Sequence, residues 1–456
     1  MSSGGGSDMA GTSILPNESI EWLKAAIARE ESSYAAANPK SSKAYSAACA
    51  YMPGGNTRAT VYYPPFPLAI ERGENGKLYD ADGHEYLNFV GEYTAGVYGN
   101  DASMLSTVLA AIGEHGTLLG GPTEHEAKLA ELICKRWGYD KIRFCNTGTE
   151  SNLLAVGLAR NVTGKPGILS FNHAYHGGAM VFMDGPGPLN APFDVTLSDY
   201  NDIEGTKAII EANTDKLAAI ILEPMMGAGG CIPADVEFLQ MLRDMASAHN
   251  IVLIFDEVMT SRLSPGGLQA RVGVKPDLTT MGKYLGGGFS FGAVGGRAEL
   301  MNRFDPSKPG ALSHGGTFNN NIASMIAGYI GLSEYFTEEA CAELNARGDV
   351  MRERLNDIAA AAGVPVQATG VGSLIALHLC AGKIRRPADT NSPGSAEFKR
   401  LYLLYMLNRG FYVTARGMLT LNLHTTEGFI DAYLKAYIAF LDEFGPALTE
   451  AISATS

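Results

Sequence analysis

Ala218-Ala-Ile-Ile-Leu222, a helical stretch from Asp235 to His249, and Ile251-Val-Leu-Ile-Phe255 follow one another in mid-chain. Neither pentapeptide carries a polar residue, which is the pattern of a strand buried on both faces. Between them Phe238, Leu242 and Met245 recur at helical spacing. Strand, helix and strand in that order predict a parallel sheet covered by helices on both sides. Apolar runs at Ile142-Arg-Phe-Cys145 and Gly167-Ile-Leu-Ser-Phe171 extend the alternation over residues 125–300 or so.

Outward from this sheet the grammar changes. Toward the C-terminus the spacing predicts amphipathic helices over 336–362, 395–409 (closed by Gly410) and 427–444, with short strands near 373–379 and 411–422. Toward the N-terminus, Ile20, Leu23 and Ile27 predict a helix that ends by Asn38-Pro39. Met52 to Pro67 is too rich in proline for an element interior, and Ile70 to Phe89 alternates as an antiparallel hairpin around Asp80-Ala-Asp-Gly83. The expected division is a Gly/Ser-rich disordered tail over 1–17, an N-terminal segment over 18–90, a large domain over 91–332 and a small domain over 333–456. The N-terminal segment joins the small domain.

Composition excludes several classes of function. Of the 456 residues 46% are hydrophobic and 18% charged, the balance of a globular protein. A net charge of -13, from 35 basic against 48 acidic residues, disfavours nucleic acid and anionic membranes as partners. No apolar run reaches the roughly 18 to 20 residues of a membrane span. The start lacks the marks of a signal or transit peptide. Six scattered cysteines without a Cys-x-x-Cys read as buried thiols of a reducing compartment, so the expected location is cytoplasmic.

In open parallel sheets ligands bind beyond the carboxyl ends of the strands, and four polar signatures fall at such ends. Asn146-Thr-Gly-Thr-Glu-Ser-Asn152 opens a helix, so Thr147, Gly148 and Thr149 suit a phosphate or simply form an N-cap. In Asn172-His-Ala-Tyr-His-Gly-Gly178, His173 and His176 lack a third ligand at useful spacing, so no metal is expected. Tyr175 in the same run can stack on a flat heterocycle or pack in a core. Glu223 and Asp256 each end a buried apolar strand, where a carboxylate needs a cation or donors. Lys283, ahead of Gly286-Gly-Gly288, is the candidate amine nucleophile. The 27 residues from Asp256 to Lys283 allow one crossover to the neighbouring strand end.

Phosphate turn, stacking tyrosine, buried aspartate and lysine in this order are the parts that a pyridoxal 5′-phosphate site needs. Over about residues 40–445 the chain resembles the fold-type I, class III aminotransferases. The motifs are Asn-Thr-Gly-Thr-Glu, Ala-Tyr-His-Gly, Glu-Pro-Met-Met-Gly-Ala-Gly-Gly, Phe-Asp-Glu-Val-Met-Thr, Gly-Lys-Tyr-Leu-Gly-Gly-Gly and Gly-Gly-Thr-Phe-Asn-Asn-Asn. The glutamate-1-semialdehyde aminomutase branch shares Asp-Glu-Val-Met-Thr. This chain departs from it at Ser261-Arg-Leu263, at Gly316-Thr-Phe-Asn-Asn-Asn321 and at Glu92-Tyr-Thr-Ala-Gly-Val-Tyr98. These departures look closer to β-phenylalanine aminotransferases.

The resemblance implies an α/β chain of the PLP-dependent transferase fold type I, with a smaller α+β domain from both terminal segments. It implies a homodimer with shared active sites, in which Thr317 reaches the neighbouring subunit's phosphate. Lys283 and Asp256 would be catalytic. Thr147, Gly148, Thr149, Tyr175, His176 and Glu223 would help hold the cofactor. Arg58 and Arg416 match positions used for substrate carboxylates, although either can equally be a fold-stabilising ion pair. The expected reaction is transfer of the amino group of an aromatic or apolar β-amino acid to a 2-oxo acid. The alternatives are a semialdehyde-type aminomutase and an amine or ω-amino acid transaminase.

Overall fold

The computed structural model describes residues 16–453. The expected tail lies outside them, apart from Pro16 and Asn17, which begin the helix Pro16–Ala37. That helix stops before Asn38, and a second one, Pro39–Cys49, starts on the proline. Proline suits the first helical position because its missing N–H has no intrahelical partner there.

The N-terminal hairpin is larger than its sequence suggests. Strands β1 (Ile70–Glu74), β2 (Lys77–Asp80) and β3 (Glu85–Asn88) form an antiparallel meander. The first turn is Asn75-Gly76, both with positive φ, which is the geometry of a tight two-residue reverse turn.

The central sheet has seven strands. They are β4 (Lys141–Cys145), β5 (Gly167–Phe171), β6 (Asp194–Ser198), β7 (Leu217–Leu222), β10 (Val252–Asp256), β11 (Leu278–Gly282) and β12 (Gly292–Gly296). A two-residue pair, β8 (Met225–Met226) with β9 (Ile232–Pro233), lies outside it. The order is β4-β12-β11-β10-β7-β5-β6, and only β12 runs against its neighbours. Along β12, Ala293 packs into one core cluster and Val294 into another. Successive strand residues point to opposite faces, so both faces of the sheet are covered.

β12 reads Gly-Ala-Val-Gly-Gly, which looks like loop rather than strand. Its glycines answer to close packing: a Cβ on Gly292 would lie 2.3 Å from the Thr147 carbonyl oxygen, and one on Gly296 2.4 Å from that of Asp277. Strand pairing here overrides low propensity.

Beyond the sheet come the helices Glu338–Ala361, Ser395–Leu407 and Glu427–Ser453. The last continues past Pro446, beyond the expected end at 444, because Ala447, Leu448 and Ala451 are drawn into the core. Strands β13 (Val366–Val371), β14 (Leu374–Leu379) and β16 (Met418–Thr420) form a small antiparallel sheet. Strand β15 (Phe411–Tyr412) leaves that layer and pairs parallel with β3, Phe411 opposite Leu87. The two terminal segments therefore share one sheet. Four of the six free cysteines are buried, whereas Cys49 is exposed and Cys134 half-buried, contrary to the expectation for all six. Among the described residues no helix is long and apolar enough to cross a membrane.

Candidate active site

Three neighbouring strands deliver three charged groups to one end of the sheet. Glu223 follows β7, Asp256 ends β10, and Lys283 follows β11, with Asp256 paired in register to Thr280. Lys283 takes φ +56°, a left-handed conformation that L-residues adopt at a cost. The glycines after it permit a tight return: a Cβ on Gly287 would lie 2.4 Å from the Ala327 backbone.

Asp256 is buried and held from three sides. Its Oδ2 accepts from Asn152 Nδ2 at 2.8 Å and lies 2.8 Å from His176 Nδ1, while Oδ1 accepts from the Val258 N–H at 3.0 Å. A carboxylate offers about four acceptor positions, so one remains for a ligand. His176 is itself fully buried, with Nε2 3.2 Å from Ser170 Oγ. It therefore lies behind Asp256 and orients it. Asn152, in turn, accepts from Thr280 Oγ1 at 2.6 Å.

Glu223 accepts from the N–H groups of Tyr175 (3.2 Å) and Gly227 (2.9 Å). Burial pushes its carboxyl up to about 7; His176 opposes that rise and the Asp256 charge adds to it. Lys283 shows the converse. Burial lowers its ammonium below the usual lysine range, Asp256 and Glu223 pull it back up, and Arg58 and Arg416 push it down. An amine so placed loses its proton more readily than a surface lysine.

Thr147 caps the helix Gly148–Thr163, its hydroxyl accepting from the Glu150 N–H at 3.1 Å. The N-cap reading is thus realised, and the first-turn N–H groups of Gly148 and Thr149 stay free of intrahelical bonds. Thr149 Oγ1 accepts from the Gly178 N–H at 3.3 Å. Gly177, at φ +97°, makes this approach possible, since a Cβ there would lie 2.1 Å from that hydroxyl. Free N–H groups at a helix N-terminus form a phosphate-binding arrangement. Tyr175 is 42% exposed while its backbone N–H is pinned by Glu223.

Arg58 and Arg416 come from opposite ends of the chain and meet at Tyr93. Their guanidinium carbons stand 5.4 and 5.6 Å from its ring centroid. Tyr93 is fixed by its hydroxyl, which donates to the Thr60 carbonyl at 2.5 Å. Arg58 is ion-paired with Glu92; among the described residues Arg416 pairs with no carboxylate. Gly91, Glu92, Tyr93 and Thr94 take φ of 50, 49, 50 and 82°, four left-handed residues in succession. Each non-glycine among them costs about 1–2 kcal/mol, and such strain collects at functional sites.

Thr317 is exposed in a turn whose Asn319 Oδ1 accepts from Asn146 Nδ2 at 2.9 Å, beside the helix N-terminus. Asn152, Glu92 and Tyr93 are site residues the sequence reading passed over. Asn152 sat within a quoted motif, but nothing in its spacing points to a partner 104 residues away.

The donor set fits pyridoxal phosphate: free N–H groups for a phosphate, an exposed ring for stacking, a spare carboxylate acceptor and a lysine with lowered pKa. Comparison with known proteins agrees. The model of the class III aminotransferase family matches residues 59–424. The chain is 44% identical to a beta-phenylalanine transaminase from Variovorax paradoxus over 91% of its length and 95% of the relative's. The crystal structure of a beta-phenylalanine aminotransferase from that organism superposes with a TM-score of 0.91, covering 93% of this chain and 98% of the other. An omega-transaminase from Sphaerobacter thermophilus superposes at 0.83 with 36% identity, covering 89% and 97%. A glutamate-1-semialdehyde 2,1-aminomutase from Brevibacillus brevis is 33% identical over 85% of this chain and 95% of its own.

Proposed function

Since this chain belongs to the class III aminotransferases and uses pyridoxal phosphate, we propose that it transfers the amino group of an aromatic or apolar β-amino acid to a 2-oxo acid. The observation that carries the reading is the pair of guanidiniums on Tyr93, within electrostatic reach of Lys283. A β-amino acid holds its carboxylate one carbon further from the amine than an α-amino acid does. The site must therefore bind carboxylates at two positions, and two arginines from separate segments can serve them.

The cofactor supplies an aldehyde carbon that takes up amines and a pyridine ring that withdraws electrons. Lys283 Nζ would hold it, the N–H groups of Gly148 and Thr149 with the Thr147 hydroxyl would bind its phosphate, and Tyr175 would stack on its ring. Asp256, oriented by His176 and Asn152, would keep a proton on the ring nitrogen. Lys283, its proton loosened by burial, moves the proton at the amine-bearing carbon of the substrate. Donor and acceptor would use one site in turn, which gives ping-pong kinetics.

Lys283→Ala should abolish amino transfer while leaving the circular dichroism spectrum and melting profile close to wild type. More than a few percent residual activity without added amine discards Lys283 as the base. A donor panel with 2-oxoglutarate and pyruvate as acceptors tests the substrate class. The identity to aminomutases supports a second reading, intramolecular amino transfer. Turnover of a single substrate without any oxo acid would favour it.

The working unit in this reading is a homodimer, with Thr317 serving the neighbouring copy's phosphate. Leu105, Leu109, Leu118, Leu119 and Phe318, each 48–60% exposed, offer an apolar surface of the kind a second copy covers. Sedimentation should give a dimer, and Leu105→Asp with Leu109→Asp should shift it to monomer with loss of activity; a wild-type monomer that is active discards the shared site.

A further inference from the structure

Glu92 has no part in the reaction described so far, yet it occupies Arg58, the guanidinium we assign to the donor's carboxylate, with Arg416 left to the acceptor's. Its carboxylate lies on Arg58 Nη1, and the two side chains are 60% and 45% exposed. The backbone beneath it is fixed. Asn88 Oδ1 accepts from the Gly91 N–H at 3.0 Å, the Tyr93 hydroxyl is tied to Thr60, and a Cβ on Gly91 would lie 2.8 Å from Thr420. The left-handed turn therefore holds Glu92 in place, and only the Glu92 and Arg58 side chains are left to rearrange.

An arginine that already has a carboxylate is a different subsite from a free one. With Glu92 on it, Arg58 is neutralised, and an apolar group beside it faces no unpaired cation. With Glu92 turned away, Arg58 can take a carboxylate from the donor. Arg416 has no such internal partner among the described residues and stays open for the acceptor.

We propose that Glu92 is a specificity-determining residue that lets one site accept both β-amino acids and arylalkyl primary amines lacking a carboxylate. It yields Arg58 to the first class and screens Arg58 from the second. This rests on the assignment of Arg58 to the donor carboxylate, so the experiment separates the two. The probe is 3-phenylpropanoate, which carries the carboxylate but no amine and cannot react. Its dissociation constant for the holoenzyme is measured by calorimetry in wild type, Glu92→Gln, Arg58→Gln and the double variant.

Removing the internal competitor should tighten binding about three- to sixfold, the competition factor of a half-exposed ion pair. Arg58→Gln should weaken binding, and Glu92→Gln should change nothing in that background. In turnover, Glu92→Gln should raise kcat/KM for 3-amino-3-phenylpropanoate and lower it for 1-phenylethylamine, an opposite movement that a structural role would not produce. Unweakened binding in Arg58→Gln overturns the Arg58 assignment and the proposal with it. Weakened binding in Arg58→Gln without tightening in Glu92→Gln, or equal loss for both donors, overturns the role of Glu92 alone.

Discussion

Arg58 and Arg416 share one aromatic ring, but their surroundings differ. Arg58 is paired with Glu92 and Arg416 is not, so the two guanidiniums are not equivalent. We expect Arg416→Ala to slow the acceptor half-reaction more than the donor half-reaction, and Arg58→Ala to do the reverse. Each loss should be about 30- to 1000-fold in specificity, the worth of about 2–4 kcal/mol for a charged contact. Single-turnover rates of each half decide it, and equal losses in both halves discard the division. At this scale the sequence was legible wherever a residue type was out of place. A carboxylate or lysine closing an apolar run, as at Glu223, Asp256 and Lys283, needs a reason to be there. It was silent where the meaning lies in a distant partner. His176 reads like a ligand but stands behind Asp256, 80 residues on, and Glu92 is explained only by Arg58.

Among the elements, strands with unbroken apolar runs were legible, whereas β6, β12 and β13 were not. β7 and β10 announce themselves through unbroken apolar runs, whereas β12 has three glycines in five residues. What makes β12 a strand is the room its neighbours leave it. Gly292 presses against the Thr147 carbonyl, so the antiparallel strand also buttresses the turn assigned to the phosphate. Gly292→Ala should destabilise the protein by about 2–3 kcal/mol, the range of overpacked cores, and weaken cofactor retention. Urea denaturation and cofactor titration would check both, and an unchanged midpoint would show that Thr147 is free to move aside. The C-terminal helix taught the opposite lesson. It was expected to end at 444, yet burial of the turns after Pro446 outweighs the break that a proline favours.

Across the whole molecule, stability should carry the mark of a carboxyl far from solvent. Glu257 is fully buried, accepting from the Leu268 and Gln269 N–H groups and the Thr260 hydroxyl, and burial lifts its pKa to about 7. A raised folded pKa means the native state binds the proton more tightly than the unfolded chain. Its stabilising contribution is complete below the unfolded value of about 4.3 and is lost as pH rises through about 7. The span is on the order of 4 kcal/mol at most. Glu257→Gln should flatten the decline of unfolding free energy between pH 5 and 7, whatever its offset at one pH. Parallel slopes in the two proteins would mean that Glu257 stays ionised. The layered architecture itself was visible in the sequence, because alternating strands and helices admit few arrangements.

The pairing of β3 with β15 sets a timetable for synthesis. Leu87 leaves the ribosome about 320 residues before Phe411, its partner. At usual translation speeds the N-terminal meander waits roughly 15 to 65 seconds with one edge bare. The seven-stranded sheet is finished at Gly296, well inside that interval. The enzyme is thus built from the middle outward, and its first-made segment is among the last to be seated. That order exposes β3 to the edges of other nascent chains, and makes the waiting meander the natural ward of a chaperone.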